Sequence, residues 1–153
     1  MSPANSVITA DFVDLDLDAT DREGAARSLA ERLVAGGRVT DLEGFLGDVA
    51  AREKQMPTGI EGGIGIPHCR SVHVTEPSLA FGRSAKGIDF GSADGPADLI
   101  FLIAAPEGGD ASHMTILAAL ARRLIRQEFK QTLRTATDPA GAAAYIQGEV
   151  SPQ

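Results

Sequence analysis

The run Asp98-Leu-Ile-Phe-Leu-Ile-Ala-Ala105 most constrains what this chain can fold into. An apolar run of that length, closed by Pro106, reads as a strand buried in the middle of a sheet. Upstream, Val13, Leu15 and Leu17 alternate with Asp14, Asp16 and Asp18. Period two with one acidic face predicts a half-buried strand. Ser78 to Phe81 predicts a further short strand.

Helical signals lie between and after these strands. Thr20-Asp-Arg-Glu23 has the pattern of a capping box, Ala25, Leu29 and Leu33 fall on one face, and Gly36-Gly37 closes the helix. Thr40-Asp-Leu-Glu43 repeats the capping pattern, and Leu42, Phe45, Leu46 and Val49 carry a second helix to about Lys54. After a turn at Pro106 to Gly109, Asp110 is placed to cap a third helix with Met114, Leu117, Ala121 and Leu124 on one face. Asp138-Pro139 starts a last helix, with proline at its first position. Some strands precede helices and others follow one another directly. The fold class is therefore α/β (α+β by some schemes), a mixed sheet with helices packed against it. The 153 residues form one domain over 1–153, with the ends 1–5 and 149–153 loose.

Net charge is −7, which argues against a nucleic-acid binder held by phosphate contacts and suits docking onto a basic protein. The opening residues have neither a basic start nor an apolar core, and no stretch reaches the roughly 18 apolar residues of a membrane span. The expected location is cytoplasmic. The single cysteine, Cys69, rules out an intrachain disulfide.

The chemistry concentrates around Thr58-Gly-Ile-Glu-Gly-Gly-Ile-Gly-Ile-Pro-His68. Proline and the glycines suit a loop that holds an imidazole at a fixed, accessible place. A neutral imidazole, with a reference pKa of about 6.5, has one ring nitrogen free to attack phosphorus at neutral pH. The competing reading is a turn histidine without chemistry. His113 falls in the first turn of the third helix, where N–H groups favour anions; otherwise it is a surface histidine at a helix end. Arg52, near the end of the second helix, is either a phosphoryl-neutralising guanidinium or a solvated arginine that complements the helix dipole. Thr58 is a further candidate for a phosphate-binding hydroxyl. The glycine run lacks the Gly-Lys-Ser/Thr ending of a nucleotide loop. Histidines 68, 73 and 113 lack the carboxylate–histidine spacing of a metal-dependent hydrolase, and His68-Cys69 does not match zinc spacings. No metal or cofactor is called for. Cys69 reads as a packing residue, and Arg122, Arg123, Arg126 and Lys130 as a solvated face or a docking patch.

The run Ala50-Ala-Arg-Glu-Lys-Gln-Met-Pro-Thr-Gly-Ile-Glu-Gly-Gly-Ile-Gly-Ile-Pro-His68 resembles the active-site region of fructose/mannitol-type enzyme IIA domains of the sugar phosphotransferase system. Asp94-Gly-Pro-Ala-Asp-Leu-Ile-Phe-Leu-Ile-Ala-Ala-Pro106, followed by His113 and a Leu/Ala-rich helix, matches as well, so the resemblance covers roughly Val7 to Ile146. It implies a mixed parallel and antiparallel sheet flanked by helices on both sides. It implies that His68 is phosphorylated by a histidine-containing phosphocarrier protein and passes the group to enzyme IIB, with the membrane enzyme IIC involved only indirectly. His113 matches the second active-site histidine and Arg52 the active-site arginine. The resemblance further implies fructose uptake as the function, the alternative being a regulatory enzyme IIA of the nitrogen branch. Cys69 departs from the Gly or Ala of many members.

Overall fold

The computed structural model describes residues 7–108 and 112–150, with side chains for all of these but residues 112–114. The expected cap Asp110 lies outside the described residues. Six strands form one sheet: β1 (Val13–Asp14), β2 (Gly59–Ile60), β3 (Ile64–Gly65), β4 (His68–Ser71), β5 (Ser78–Ile88) and β6 (Ala97–Pro106). Five helices pack on it: α1 (Arg22–Ala35), α2 (Leu42–Gln55), α3 (Ser112–Leu124), α4 (Gln127–Arg134) and α5 (Pro139–Val150).

β6 is the central strand, as its apolar run requires. It pairs antiparallel with β5 on one side and parallel with β3 and β4 on the other; β1 pairs parallel with β5, and β2 antiparallel with β3. The mixed sheet follows. Residues 99–105 of β6 are all buried. α1 and α2 pack together as one layer; α3, α4 and α5 form the other. Through the second layer run the rings of Phe81, Phe101, Phe129 and Tyr145, with successive centroids 5.0, 6.4 and 5.5 Å apart. Val150, at the end of α5, is buried against this core.

Several expectations shift in detail. Both early helices are capped by aspartate, not threonine: the Asp21 and Asp41 carboxylates accept the N–H groups of Gly24 and Gly44. Aspartate outranks threonine as an N-cap, and this register places Glu23 and Glu43 in the positive first turn. The buried face of α1 is the expected one, Ala25, Leu29 and Leu33. On α3 the buried positions among the described side chains are Ile116, Ala119, Leu120 and Leu124, while Ala121 is exposed and Leu117 half-buried. Ile116 and Leu120 offer more apolar surface than Ala121, and the helix rotates to bury them. β5 is longer than Ser78–Phe81 because β6 supplies a ladder even for its polar end, across an irregularity between Arg83 and Ile88. The basic cluster is not one solvated face. Lys130 is buried, and Arg123 pairs with Glu149 at 2.7 Å.

The glycine-rich stretch is a hairpin followed by a strand, not a loop. β2 and β3 enclose Glu61-Gly62-Gly63, where φ is +96° at Gly62 and +80° at Gly63. Only glycine takes two successive left-handed positions without strain.

Candidate functional site

His68 opens β4, an edge strand overlapped by α2 from one layer and reached by α3 from the other. Ile64 of β3 faces Leu99, and His68 faces Ile103, at the same offset along β6. β3 and β4 are thus one strand in register, interrupted at Ile66-Pro67. Pro67 has no N–H to donate, while its carbonyl accepts the Ile103 N–H at 3.0 Å. At this interruption the Ile66 carbonyl oxygen meets Nδ1 of His68 at 2.8 Å. A carbonyl only accepts, so Nδ1 carries the hydrogen and Nε2 of the neutral ring keeps its lone pair. The backbone fixes the tautomer.

The ring borders a cleft of about 450 Å³. α2 supplies Asp48, Ala51, Arg52 and Gln55, which stand at i, i+3, i+4 and i+7 and so form one stripe of the helix. From β4 come His68 and Arg70, two residues apart and therefore on the same side of the strand. Leu117 of α3 closes the far wall. Arg52 is exposed and enters none of the ion pairs among the described residues. Asp48 instead accepts the Ser71 hydroxyl at 2.6 Å, and Ser71 Oγ in turn accepts the His73 N–H at 3.1 Å. This bracing fixes β4 against α2.

His68 and Arg52 therefore meet in one cleft. His113 lies in the first turn of α3, four residues before Leu117 and on the same face of the helix; its side chain is outside the described residues. Thr58 does not line the cleft. Its hydroxyl donates to Glu53 Oε1 at 2.7 Å and its N–H to Glu53 Oε2 at 2.9 Å. The hydroxyl proton is thus committed within the protein. His73 stands over the start of α2, its Nδ1 3.9 Å from an Asp41 oxygen, and does not line the cleft. Among the described residues no group of three or more His, Cys, Asp or Glu side chains is placed to hold a metal ion.

Cys69 is 9% exposed. Burial, with the Asp48 carboxylate nearby as a smaller contribution, pushes its thiol up to about 12. A neutral buried thiol is a poor nucleophile, which agrees with a packing role. Sequence reasoning missed Arg70, Asp48 and Gln55. The polar stripe at i, i+3, i+4 and i+7 of α2 was the available signal for two of them. Arg70 becomes visible only once residues 68–71 are seen as a strand.

Residues 6–148 match the family described as the phosphoenolpyruvate-dependent sugar phosphotransferase system, EIIA 2. The chain is 37% identical over 130 residues to the fructose-specific EIIA component of Haloferax volcanii, covering 84% of each. Other relatives are longer: the chain spans 20% of a fructose-specific EIIABC component from Bacillus subtilis and of a mannosylglycerate-specific one from Escherichia coli. Among solved structures, the nitrogen regulatory protein IIA-Ntr of Neisseria meningitidis superposes with a TM-score of 0.83 at 24% identity, covering 92% of this chain and 96% of that one. The mannitol enzyme IIA of Escherichia coli, in its complex with phosphorylated enzyme IIB, superposes with a TM-score of 0.75 at 25% identity, over 92% and 96%. Among the described residues no helix is long and apolar enough to cross a membrane.

Proposed function

This chain belongs to the EIIA 2 family of the phosphoenolpyruvate-dependent sugar phosphotransferase system, whose members are phosphotransferases that carry a phosphoryl group on histidine, and we propose that here the group rides on Nε2 of His68. The observation that carries the assignment is the 2.8 Å contact from Nδ1 to the Ile66 carbonyl. It leaves Nε2 as the nucleophile without any proton having to leave first.

The donor is a histidine-containing phosphocarrier protein. As the Nε2–P bond forms, the donor's N–P bond breaks and its imidazole recovers the bonding pair. The His68 ring gains positive charge, which the Ile66 carbonyl dipole offsets. Transfer then runs in the same sense to a cysteine thiolate of enzyme IIB: the S–P bond forms as the Nε2–P bond breaks, and Nε2 regains its lone pair. Both steps need in-line positioning and neutralised equatorial oxygens. Arg52 supplies an uncommitted guanidinium from the α2 stripe, and His113 a donor from the first turn of α3. Thr58 supports the site by holding the backbone, its hydroxyl proton being engaged by Glu53. Donor and acceptor are both protein side chains, so the transfer draws on neither nucleotide nor metal. The Escherichia coli mannitol complex supports enzyme IIB as the partner, and the Haloferax volcanii relative supports fructose as the sugar.

The test is incubation with phosphoenolpyruvate, enzyme I and the phosphocarrier, read by intact mass, then chase with enzyme IIB. Uptake of one phosphoryl group and its loss to IIB is expected. Uptake without transfer to any fructose, mannitol or galactitol IIB would favour a nitrogen-branch regulator instead.

A further inference from the structure

We propose that Glu53 is a positioning residue for His68, holding the imidazole in its reactive tautomer through Thr58 and Ile66. The proposal rests on the reading of His68 as the phosphoryl carrier. Glu53 is only 7% exposed, and both of its oxygens are engaged. Oε1 accepts the Thr58 hydroxyl at 2.7 Å; Oε2 accepts the Thr58 N–H at 2.9 Å and an Arg22 guanidinium N–H at 3.3 Å. A carboxylate acts only as an acceptor, so three donors on it fix Thr58 firmly.

The bonds continue from there to the ring. The Thr58 carbonyl accepts the Ile66 N–H at 3.2 Å, and the Ile66 carbonyl accepts Nδ1–H of His68 at 2.8 Å. Each contact sets the position of the next residue, from α1 through α2 and the hairpin to the imidazole. No other backbone bond to the Ile66 N–H stands among the described residues, and Pro67 has no N–H of its own. The Ile66 peptide is therefore oriented from the Thr58 side on one flank and by the Pro67 carbonyl's bond to Ile103 on the other. Glu53 follows Arg52 in sequence but lies beneath the helix, where Arg52 is exposed. One turn of α2 thus provides both a cation for the cleft and the anchor for the nucleophile's backbone.

A merely structural anchor would change stability and leave the ring alone, so the ring is what must be read. Histidine-labelled protein, examined by long-range proton–nitrogen correlation above the imidazole titration, should show His68 as the single Nδ1–H tautomer. In Thr58→Val and Glu53→Gln the second tautomer should appear, with phosphoryl uptake slowed about tenfold or more. Thr58→Ser keeps the hydroxyl and should restore the native spectrum. The ring signals of His73 serve as the internal control. An unchanged His68 tautomer in both variants overturns the proposal, as does a native ring that populates both tautomers equally. If Glu53→Gln fails to fold by circular dichroism, Thr58→Val decides the matter alone. A tautomer shift in the variants, together with native protein that takes no phosphate from the donor, would sink the phosphocarrier reading and leave the positioning role standing.

Discussion

Arg134, beside the start of β6, and Arg52, beside the strand paired with its far half, stand in different surroundings. At the Asp98 end, Arg134 donates to both oxygens of Asp98, at 2.8 and 2.9 Å, and to the Gly62 carbonyl at 2.6 Å. Those bonds to Asp98 hold the guanidinium above its ordinary pKa. At the Ile103 end, Arg52 borders the His68 cleft and enters no ion pair among the described residues. The same side chain is a strut where a carboxylate is free to hold it; at the cleft, where Asp48 is taken by Ser71, the proposed function gives it phosphoryl oxygens to receive. On the proposed function, the difference separates the part of the molecule that holds shape from the part left open for chemistry.

The harshest test of the chemical end is His68→Ala. It should abolish phosphoryl uptake, read by intact mass, with circular dichroism unchanged, because a missing nucleophile removes the covalent intermediate. His113→Ala should still become phosphorylated but pass the group to enzyme IIB about a hundred- to a thousandfold more slowly in rapid-quench experiments. Equal, complete loss of uptake in both variants would remove the distinction between nucleophile and stabilising donor.

The two arginines permit a direct exchange of expectations. Arg52→Gln should slow transfer by about tenfold, less than a donor in a dry site because its charge is exposed and screened, while the melting temperature stays put. Arg134→Gln should do the reverse. It should cost about 1–2 kcal/mol, a partly exposed ion pair with hydrogen bonds, lowering the melting temperature by roughly 2–8 °C at a nearly native transfer rate. If both variants lose rate alike, the division between strut and receptor is wrong.

The smallest effect belongs to Cys69. Cys69→Ser should still accept phosphate. In the native protein the thiol, pushed up to about 12 by burial, stays neutral and should resist iodoacetamide at pH 8 until denaturant is added. Its folded pKa lies above the unfolded value, so its contribution to stability is complete below about pH 8.5 and falls as pH rises from there toward the folded pKa. A thermal melt series over that range, compared with Cys69→Ser, measures it.

The most regular patterns were the most legible. The apolar run of β6 and the Ala25, Leu29, Leu33 face of α1 announce themselves because burial imposes a period on the side chains. His68 and Arg52 stood out through the Arg-Glu, Thr-Gly and Ile-Pro-His pattern around them. Residues 59–71 were harder. Glycine hides alternation, and what makes Ile64–Gly65 and His68–Ser71 strands is a ladder on β6, a partner far along the chain. α4 escaped notice because Gln127–Arg134 buries only Phe129, Lys130 and Leu133. Lys130 is long enough to bury its stem, and no local signal separates that use from a solvated lysine.

The unbroken register of β3 and β4 along β6 also makes the cleft a product of long-range pairing. β5 and β6 are neighbours in sequence and can pair as a local hairpin. The segment carrying His68 comes before them and docks parallel on the far side of β6, a contact across a longer loop and with a larger closure entropy. Without that strand docked, His68 and Leu117 are not neighbours and the cleft does not exist. A chain in which that strand is undocked therefore has no cleft to offer a phosphoryl donor.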